Sequence, residues 1–397
     1  MDEWKRGWRV ALGAALGSGL GISLFYYVFS LFTIPITTEL GISRGEFANI
    51  QALLIVGALT APFVGRWLDR SGFHIVFGIN FAIIIAAHVA MATIVDSSFS
   101  FLIVTLIYGI AGIGAGQVAY TRPVSAWFNK QRGMALGLIA IGPAVTTFTA
   151  SFFLPALIAT EGWRAGFWVL AGLAGMIGLP LSLLLVRDAP GEAVFKAAPK
   201  TPSDMSYLRE VDFWVMAAAM LCLSAPGAGI ISQMSPLVQD EGIGVRAAGA
   251  AVGAYALGQV SGRIVAGWFL DRANPRVVAL IFTLVPAIGL LALGLFSLPL
   301  WTAIAAVGLV GIQHGSEIDF FAFFAARRFG IKRYGTIYGS LIAVGWIGTP
   351  TGILLFGWLY TANGSYAVAE IIAAVMLVVG GILLACVKID AGKTDTA

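Results

Sequence analysis

The sequence GRWLDR at residues 65–70 returns as GWFLDR at residues 267–272, about half of the 397-residue chain later. Each copy ends an apolar run with an adjacent aspartate and arginine, so each marks a point where the chain passes from an apolar environment into water. One such hexapeptide carries little information, whereas two at matching positions indicate an internal repeat. The chain is therefore predicted to consist of two similar halves that cross a membrane in the same direction.

The composition agrees with a chain that lies in a bilayer. Hydrophobic residues make up 59% of it, charged residues only 11%, and the mean hydropathy is +0.90. Apolar runs of about 20 residues, the length that crosses about 30 Å of hydrocarbon as a helix, recur from end to end. The net charge of +4 is spread over loops, so nucleic acid is not an expected partner. Cys222 and Cys386 lie far apart, and no metal site or cofactor is expected.

Twelve transmembrane helices follow from these runs, and the predicted class is an all-α membrane protein. The helices are predicted near residues 8–34, 47–67, 74–95, 99–127, 133–158, 165–187, 211–236, 246–270, 276–297, 300–326, 335–360 and 365–388. The longest polar stretch, rich in proline and mixed charges, lies between the sixth and seventh helices. We therefore expect an N-terminal six-helix bundle over 1–187, a linker over 188–210 and a C-terminal six-helix bundle over 211–397.

Lysine and arginine are distributed asymmetrically over the predicted loops. Nineteen fall in the set of loops that includes both termini, three in the opposite set and two within helices, which accounts for all 24. Because cytoplasmic loops carry the excess of Lys and Arg, both termini are predicted to be cytoplasmic. The expected location is the plasma (inner) membrane.

The repeated hexapeptide also resembles a known family signature. Residues 65–70, followed by Gly72 and His74, resemble the loop signature of the major facilitator superfamily, as do the helix number, central linker and parallel repeat. Within it, residues 127–137 (WFNKQRGMALG) resemble the start of helix 5 in monocarboxylate transporters and their bacterial relatives, the branch that includes oxalate-formate antiporters. The resemblance implies two bundles around a central cavity, with alternating access by rocking of one against the other.

Arg263 is the first candidate for a functional residue. It lies eight residues before Asp271, which places it about 12 Å inside the predicted cytoplasmic end of helix 8. A charge at such a depth costs about 3 kcal/mol or more and is a functional candidate by default. In the resembling transporters the corresponding arginine pairs with the carboxylate of the substrate, a role that suits the planar fork of a guanidinium. The alternative is a structural ion pair with a neighbouring helix.

Helix 10 supplies the predicted proton-coupling residues Glu317 and Asp319, with His314 as a possible relay. Residues two apart on a helix point about 200° apart, so the two acids cannot both face one cavity. We expect Glu317 to face the cavity, because Asp319 shares its face with Gly315 in a pattern typical of helix packing. Burial favours the neutral form of an acid and a nearby arginine favours the charged form, so substrate binding at the arginine could switch a proton. The alternative is that both acids are static partners of arginines.

Further substrate contacts are predicted at Gln259, Tyr26, Tyr27 and Tyr120. Gln259 precedes Arg263 by one turn, where animal monocarboxylate transporters carry an acid. The tyrosines fall on helices that line the cavity or its flanks in the resembling family. Tyrosines that face the cavity would favour a substrate with an apolar body, and the alternative is packing in the core or against lipid.

The repeated signatures are predicted to act in gating rather than in binding. Asp69, Arg70, Asp271 and Arg272 end helices at the cytoplasmic surface, where charge pairs can hold one conformational state. Arg122, in the cytoplasmic half of helix 4, is expected to pair with helix 10 in a structural or gating role.

The sequence therefore predicts a secondary transporter, not an enzyme, that moves a monocarboxylate with an aromatic or aliphatic tail by proton symport. The expected partners are a small organic anion, protons and lipid, and the expected functional form is a monomer. Two alternatives remain: an efflux pump that exchanges amphipathic compounds for protons, which would not require Arg263, and a carboxylate exchanger.

Overall fold

The computed structural model describes residues 2–128, 131–187, 205–240, 242 and 244–389, except for the side chains of Asp2, Pro62, Asp69, Val118, Val245, Arg246, Ile331 and Lys332. Throughout these residues the regular structure is helical. The α-helices are α1 (Asp2–Leu20), α2 (Ile22–Val28), α3 (Thr33–Leu40), α4 (Arg44–Ala52), α5 (Val56–Thr93), α6 (Ser98–Ala115), α7 (Gln117–Trp127), α8 (Arg132–Glu161), α9 (Trp163–Gly172), α10 (Leu179–Leu185), α11 (Val211–Asp240), α12 (Val245–Leu270), α13 (Pro275–Leu295), α14 (Leu300–Phe329), α15 (Ile331–Asn363) and α16 (Ala367–Cys386). Short 3₁₀ turns at Phe29–Phe32, Leu53–Ile55 and Met205–Arg209 and a π-helical turn at Leu173–Gly178 complete them.

Several predicted helices are built from more than one segment. Predicted helix 1 breaks at Gly21 and predicted helix 4 at Gly116, where the backbone leaves the helical region. The two breaks lie against each other, since a Cβ added at Gly21 would sit 2.9 Å from the Ala115 carbonyl oxygen and one at Gly116 would sit 3.3 Å from Ile22. Glycine at both positions therefore lets two interrupted helices touch through their backbones.

The proline-containing pairs Gly142–Pro143, Pro226–Gly227 and Thr349–Pro350 lie inside α8, α11 and α15, which run through them without a break. In α8, Pro143 has no N–H to donate to the Ile139 carbonyl oxygen. Ser18 on α1 donates to that oxygen instead, at 3.0 Å. A neighbouring helix thus satisfies the group that proline leaves free, which is the condition for proline inside a membrane helix.

The first signature hexapeptide lies just before a kink inside α5. Gly72 has φ 76° and ψ 169°, a conformation outside the helix that favours glycine over any residue with a side chain. The predicted helices 2 and 3 therefore meet at a single glycine, directly after residues 65–70.

The chain forms two compact units: residues 1–196 with 231–256, and residues 197–230 with 257–397. The division passes through α11 and α12, so the C-terminal end of α11 and the N-terminal end of α12 belong to the first unit. Residues 188–204, most of the predicted linker, lie outside the described part. The boundaries of the two predicted bundles stay a prediction.

Nine helical spans among the described residues are long and apolar enough to cross a membrane. They correspond to predicted helices 1, 3 to 7, 9, 11 and 12. Among the helices that are less apolar than these nine spans are α12, which carries Arg263, and α14, which carries Glu317 and Asp319. The least apolar helices of the second unit are thus the two that hold the candidate functional charges.

Candidate functional site

The second unit brings Arg263 of α12 and Asp319 of α14 together. The guanidinium Nε lies 3.4 Å from the Asp319 Oδ2. The two side chains retain 34% and 36% of their surface accessible, although both residues lie inside long helices that pack on each other. The pair is therefore half-buried and still open on one side.

Glycines set the distance between these two helices. A Cβ added at Gly262 would collide with the backbone of Ile312, and one added at Gly315 would collide with the backbone of Gln259. Arg263 follows Gln259 by one turn, and Asp319 follows Gly315 by one turn. Because residues four apart share a helix face, the backbone contact at Gly315 brings the arginine and the aspartate to the same place. These glycines thus let α12 and α14 pack in backbone contact, and this contact positions the pair.

The pair is incomplete as an ion pair. The Arg263 Nε and the Asp319 Oδ2 are both shielded from solvent, and neither makes a hydrogen bond in the structure. The terminal nitrogens of Arg263 make no hydrogen bond to any described residue either. A guanidinium that pairs fully with one carboxylate donates two parallel N–H···O hydrogen bonds to its two oxygens. Here the aspartate compensates the charge, while the donors of the guanidinium stay available to a second anion.

Glu317 lies elsewhere, in the interior of the second unit, where it is 2% exposed. Its carboxylate accepts a hydrogen bond from the Ser224 hydroxyl on α11 and one of 3.4 Å from the Gln313 Nε2. The expectation that Glu317 rather than Asp319 faces the open space is wrong. The two acids do point apart, but the contact at Gly315 turns the Asp319 face toward α12 and leaves Glu317 facing α11.

His314 and Gln259 lie beside the pair. His314 packs on α11, since a Cβ added at Gly227 would lie 2.7 Å from its Nδ1, and it is close enough to Arg263 for the two to interact electrostatically. Gln259 contributes its backbone to the contact with α14, and its side chain is half-buried.

The predicted tyrosines of the first unit differ in accessibility. Tyr26 and Tyr27 on α2 are half-buried, with ring centroids 5.5 Å apart in an edge-on arrangement. Tyr120 is fully buried, packs between Phe73 and Phe77 and shares a 2.9 Å hydrogen bond with Ser182. Its hydroxyl is therefore already used inside the bundle, and this placement does not fit the predicted contact with a substrate.

The signature residues lie before the kink at Gly72 inside α5 and directly after the end of α12. Arg70, Asp271 and Arg272 are exposed, and the side chain of Asp69 lies outside the described part. The Arg272 guanidinium lies over the Trp268 ring, 4.7 Å from its centroid, and donates to the Trp268 carbonyl oxygen.

Arg122, for which a partner on helix 10 was predicted, donates from Nη1 to the Leu68 carbonyl oxygen at 2.7 Å. Leu68 belongs to the first signature hexapeptide, at residues 65–70. This bond ties α7 to the signature in the first unit, and the predicted pairing of Arg122 with helix 10 stays a prediction.

Sequence reasoning missed two tyrosines near the pair. Tyr334 and Tyr338 on α15 both interact electrostatically with Asp319, and Tyr338 also does so with Arg263. Their spacing of four residues, next to small residues in an otherwise apolar helix, is a signal that could have been used. Ser224, the partner of Glu317, gave no such signal, because a lone serine in a membrane helix is common.

A second Arg–Asp pair, also not predicted, lies in the first unit. Arg44 Nη1 is 2.5 Å from Asp240 Oδ2 and Arg44 Nη2 is 2.8 Å from Asp240 Oδ1, so both terminal nitrogens donate to the carboxylate. Arg44 opens α4, whose start is fixed by reciprocal hydrogen bonds between Ser43 and Glu46, and Asp240 ends α11.

Among the described residues, no three His, Cys, Asp or Glu side chains are grouped to hold a metal ion.

Comparison with known proteins supplies the wider context. The sequence pattern of the Major Facilitator Superfamily matches residues 11–339 and 216–395. The gallate transporter of Pseudomonas putida is 26% identical, covering 84% of this chain and 83% of the relative, and the human monocarboxylate transporter 11 is 24% identical, covering 88% and 73%. The crystal structure of a bacterial homologue of the human lysosomal transporter Spinster, inward-facing and occupied, has a TM-score of 0.74 at 15% identity, over 94% of this chain and 95% of that one.

The predicted superfamily and its all-α fold are therefore confirmed. The match spans the greater part of both halves of the chain, and the structural similarity extends over nearly its whole length. The chain belongs to the Major Facilitator Superfamily and is a membrane transporter, not an enzyme.

Proposed function

We propose that this transporter moves a monocarboxylate across the membrane together with a proton. The observation that supports it is the incomplete Arg263–Asp319 pair: a permanent cation inside α12 whose Nε lies 3.4 Å from the Asp319 Oδ2 without a hydrogen bond. A carboxylate is the anion whose two oxygens match those donors. The similarity to a gallate transporter and to monocarboxylate transporters supports the same class of substrate.

Asp319 is the proposed proton acceptor. When a substrate carboxylate binds Arg263, the positive charge that stabilises the Asp319 carboxylate is shared with a second anion in a medium of low dielectric. Taking up a proton then restores neutrality, so one carboxylate and one proton cross together. Glu317 is less suited to this exchange, because its carboxylate is bonded to Ser224 and Gln313 in the interior of the unit.

The remaining assignments belong to the same proposal. Gln259, Tyr26 and Tyr27 would contact the substrate, and His314, next to Arg263, would assist proton transfer. Asp69, Arg70, Asp271, Arg272 and Arg122 would hold conformational states at the cytoplasmic surface during alternating access. The protein would act as a monomer in the plasma membrane with both termini in the cytoplasm, in keeping with the distribution of Lys and Arg.

Reconstitution into liposomes that contain a pH-sensitive dye tests the proposal. Monocarboxylates that differ in their tails are added outside in turn, with empty liposomes as the control for diffusion of the neutral acids. Acidification inside, driven by one group of acids and abolished in Arg263→Gln, is the expected result. Exchange of labelled carboxylate without proton movement would support the exchanger instead, and transport of amphipathic compounds unaffected by Arg263→Gln would support the efflux pump.

A further inference from the structure

Tyr334 and Tyr338 form a stacked pair at the start of α15. Their ring centroids are 5.2 Å apart and their planes differ by 9°. The spacing of four residues places both on one face of the helix. They therefore present a continuous aromatic surface, which we call the tyrosine wall.

The tyrosine wall and Asp319 lie on consecutive helices on either side of Gly330, and these two helices pack on each other. Asp319 lies eleven residues before Gly330 and Tyr338 eight residues after it, so both are a similar distance from the junction, about 12–16 Å along their helices. Both tyrosines interact electrostatically with Asp319, and Tyr338 does so with Arg263 as well. All four residues belong to the second unit, on α12, α14 and α15. An anion bound at Arg263 would thus have the wall within reach of its remaining atoms.

The wall differs from the buried tyrosines of the first unit. The Tyr108 hydroxyl is bonded to His88 and the Tyr120 hydroxyl to Ser182, and both rings are fully enclosed. Tyr334 and Tyr338 are half-exposed, and neither hydroxyl is bonded to any described residue. Unlike the tyrosines of the first unit, the wall therefore keeps its rings and hydroxyls accessible to a ligand whose anionic group binds Arg263.

We propose that the tyrosine wall makes this transporter selective for aromatic carboxylates, with the carboxylate at Arg263 and the ring of the substrate against Tyr338. This inference rests on the proposed carboxylate transport and goes beyond it by assigning the body of the substrate to α15. A flat ring gains contact with Tyr338 that a puckered ring of equal carbon number does not, and ring hydroxyls could bond the free phenols. Short aliphatic acids would bind Arg263 but leave the wall uncovered.

The matched pair of benzoate and cyclohexanecarboxylate separates the two proposals, because the acids share the carboxylate and the number of carbons. Competition for uptake in the liposome assay gives the ratio of their apparent affinities. In Tyr338→Leu this ratio is expected to fall by about twofold to tenfold, the range for one aromatic contact. Tyr338→Phe should keep the preference for benzoate and lose only the preference for ring-hydroxylated benzoates. Tyr360→Leu, farther along α15, is the control for a general effect on the helix.

The outcomes are distinct. An unchanged ratio in both Tyr338→Leu and Tyr334→Leu, with transport intact, would overturn the tyrosine wall while carboxylate transport stands. A wild-type protein that prefers cyclohexanecarboxylate would also overturn it. Transport of neither acid nor of any other carboxylate would overturn the proposed function and the wall together. If Tyr338→Leu does not fold, Tyr338→Phe provides the test. A Tyr338→Phe protein that keeps the wild-type preference for ring-hydroxylated benzoates would then contradict the inference.

Discussion

Two Arg–Asp pairs with the same chemistry have opposite geometry in this transporter. Arg44 and Asp240 in the first unit are joined by two short hydrogen bonds, and the arginine side chain is only 13% exposed. In the second unit the Arg263 Nε lies 3.4 Å from the Asp319 Oδ2 without a hydrogen bond, and both side chains are about one third exposed. The first pair uses its hydrogen-bonding capacity internally, whereas the second leaves it for a ligand.

The backbone around each pair explains the difference. Arg44 opens a helix whose start is fixed by Ser43 and Glu46, and Asp240 is the last residue of a 30-residue helix, so both can align their planar groups. Arg263 and Asp319 are held inside two helices that are in backbone contact, which limits how their side chains can meet. Close packing thus brings the charges together without allowing a fully bonded pair.

The largest expected effect comes from replacing the arginines of the two pairs by lysine. Arg263→Lys keeps the positive charge but loses the fork, and a hydrogen bond to a charged group is worth about 1.5–3 kcal/mol, so the apparent affinity for carboxylate should fall about tenfold to hundredfold. Arg44→Lys, the matched control, should leave it within about twofold, because this pair does not contact the substrate in our account. Concentration dependence of uptake in liposomes measures both. Equal losses in the two variants would remove the distinction between the pairs.

A smaller effect is expected from filling the contact between α12 and α14. Gly262→Ala would push a methyl group into the backbone of Ile312, and such overpacking costs about 1–3 kcal/mol in the free energy of unfolding. Gly267→Ala on the same helix, where no atom lies within 4 Å of an added Cβ, should cost nothing and is the control. Unfolding by detergent titration measures the stability. A stable Gly262→Ala protein with normal uptake would show that close backbone contact is not needed to position Arg263.

The smallest effect is expected on stability when the aspartates are neutralised. Asp240→Asn should lower the free energy of unfolding by about 1 kcal/mol, since a partly exposed ion pair of good geometry is lost. Asp319→Asn should change it by less than about 0.5 kcal/mol, because this ion pair is about one third exposed and no hydrogen bond is broken. Detergent titration of both variants makes the comparison. A larger loss for Asp319→Asn than for Asp240→Asn would mean that the open pair is a structural one.

The fold could be predicted from the sequence to a large extent, because its determinants are local. Apolar runs of sufficient length and the duplicated hexapeptide do not depend on how helices are rotated. Arg263 could also be predicted, since burial of a permanent charge is costly wherever the helix turns. The breaks at Gly21 and Gly116 could not, because they depend on which helix each glycine meets.

The orientation of side chains around the site depends on contacts that the sequence leaves open. Helical periodicity separated Glu317 from Asp319 correctly, but the choice between them required knowing that Gly315 packs on Gln259. Tyr120 carries a polar hydroxyl and lies on a helix predicted to line or flank the cavity, yet its ring is buried and its hydroxyl is bonded to Ser182. Tyr334 and Tyr338 were missed because their approach to Asp319 comes from a different helix, more than a dozen residues farther along the chain.

Proton uptake on binding tests the central claim most directly. Titrating the purified transporter in detergent with a carboxylate, in buffers of different ionisation enthalpy, gives the number of protons bound per substrate. Our account predicts about one proton for the wild type and for Glu317→Gln and none for Asp319→Asn, because the proton goes to the acid that the substrate displaces. Binding without proton uptake in the wild type, or undiminished uptake in Asp319→Asn, would contradict it.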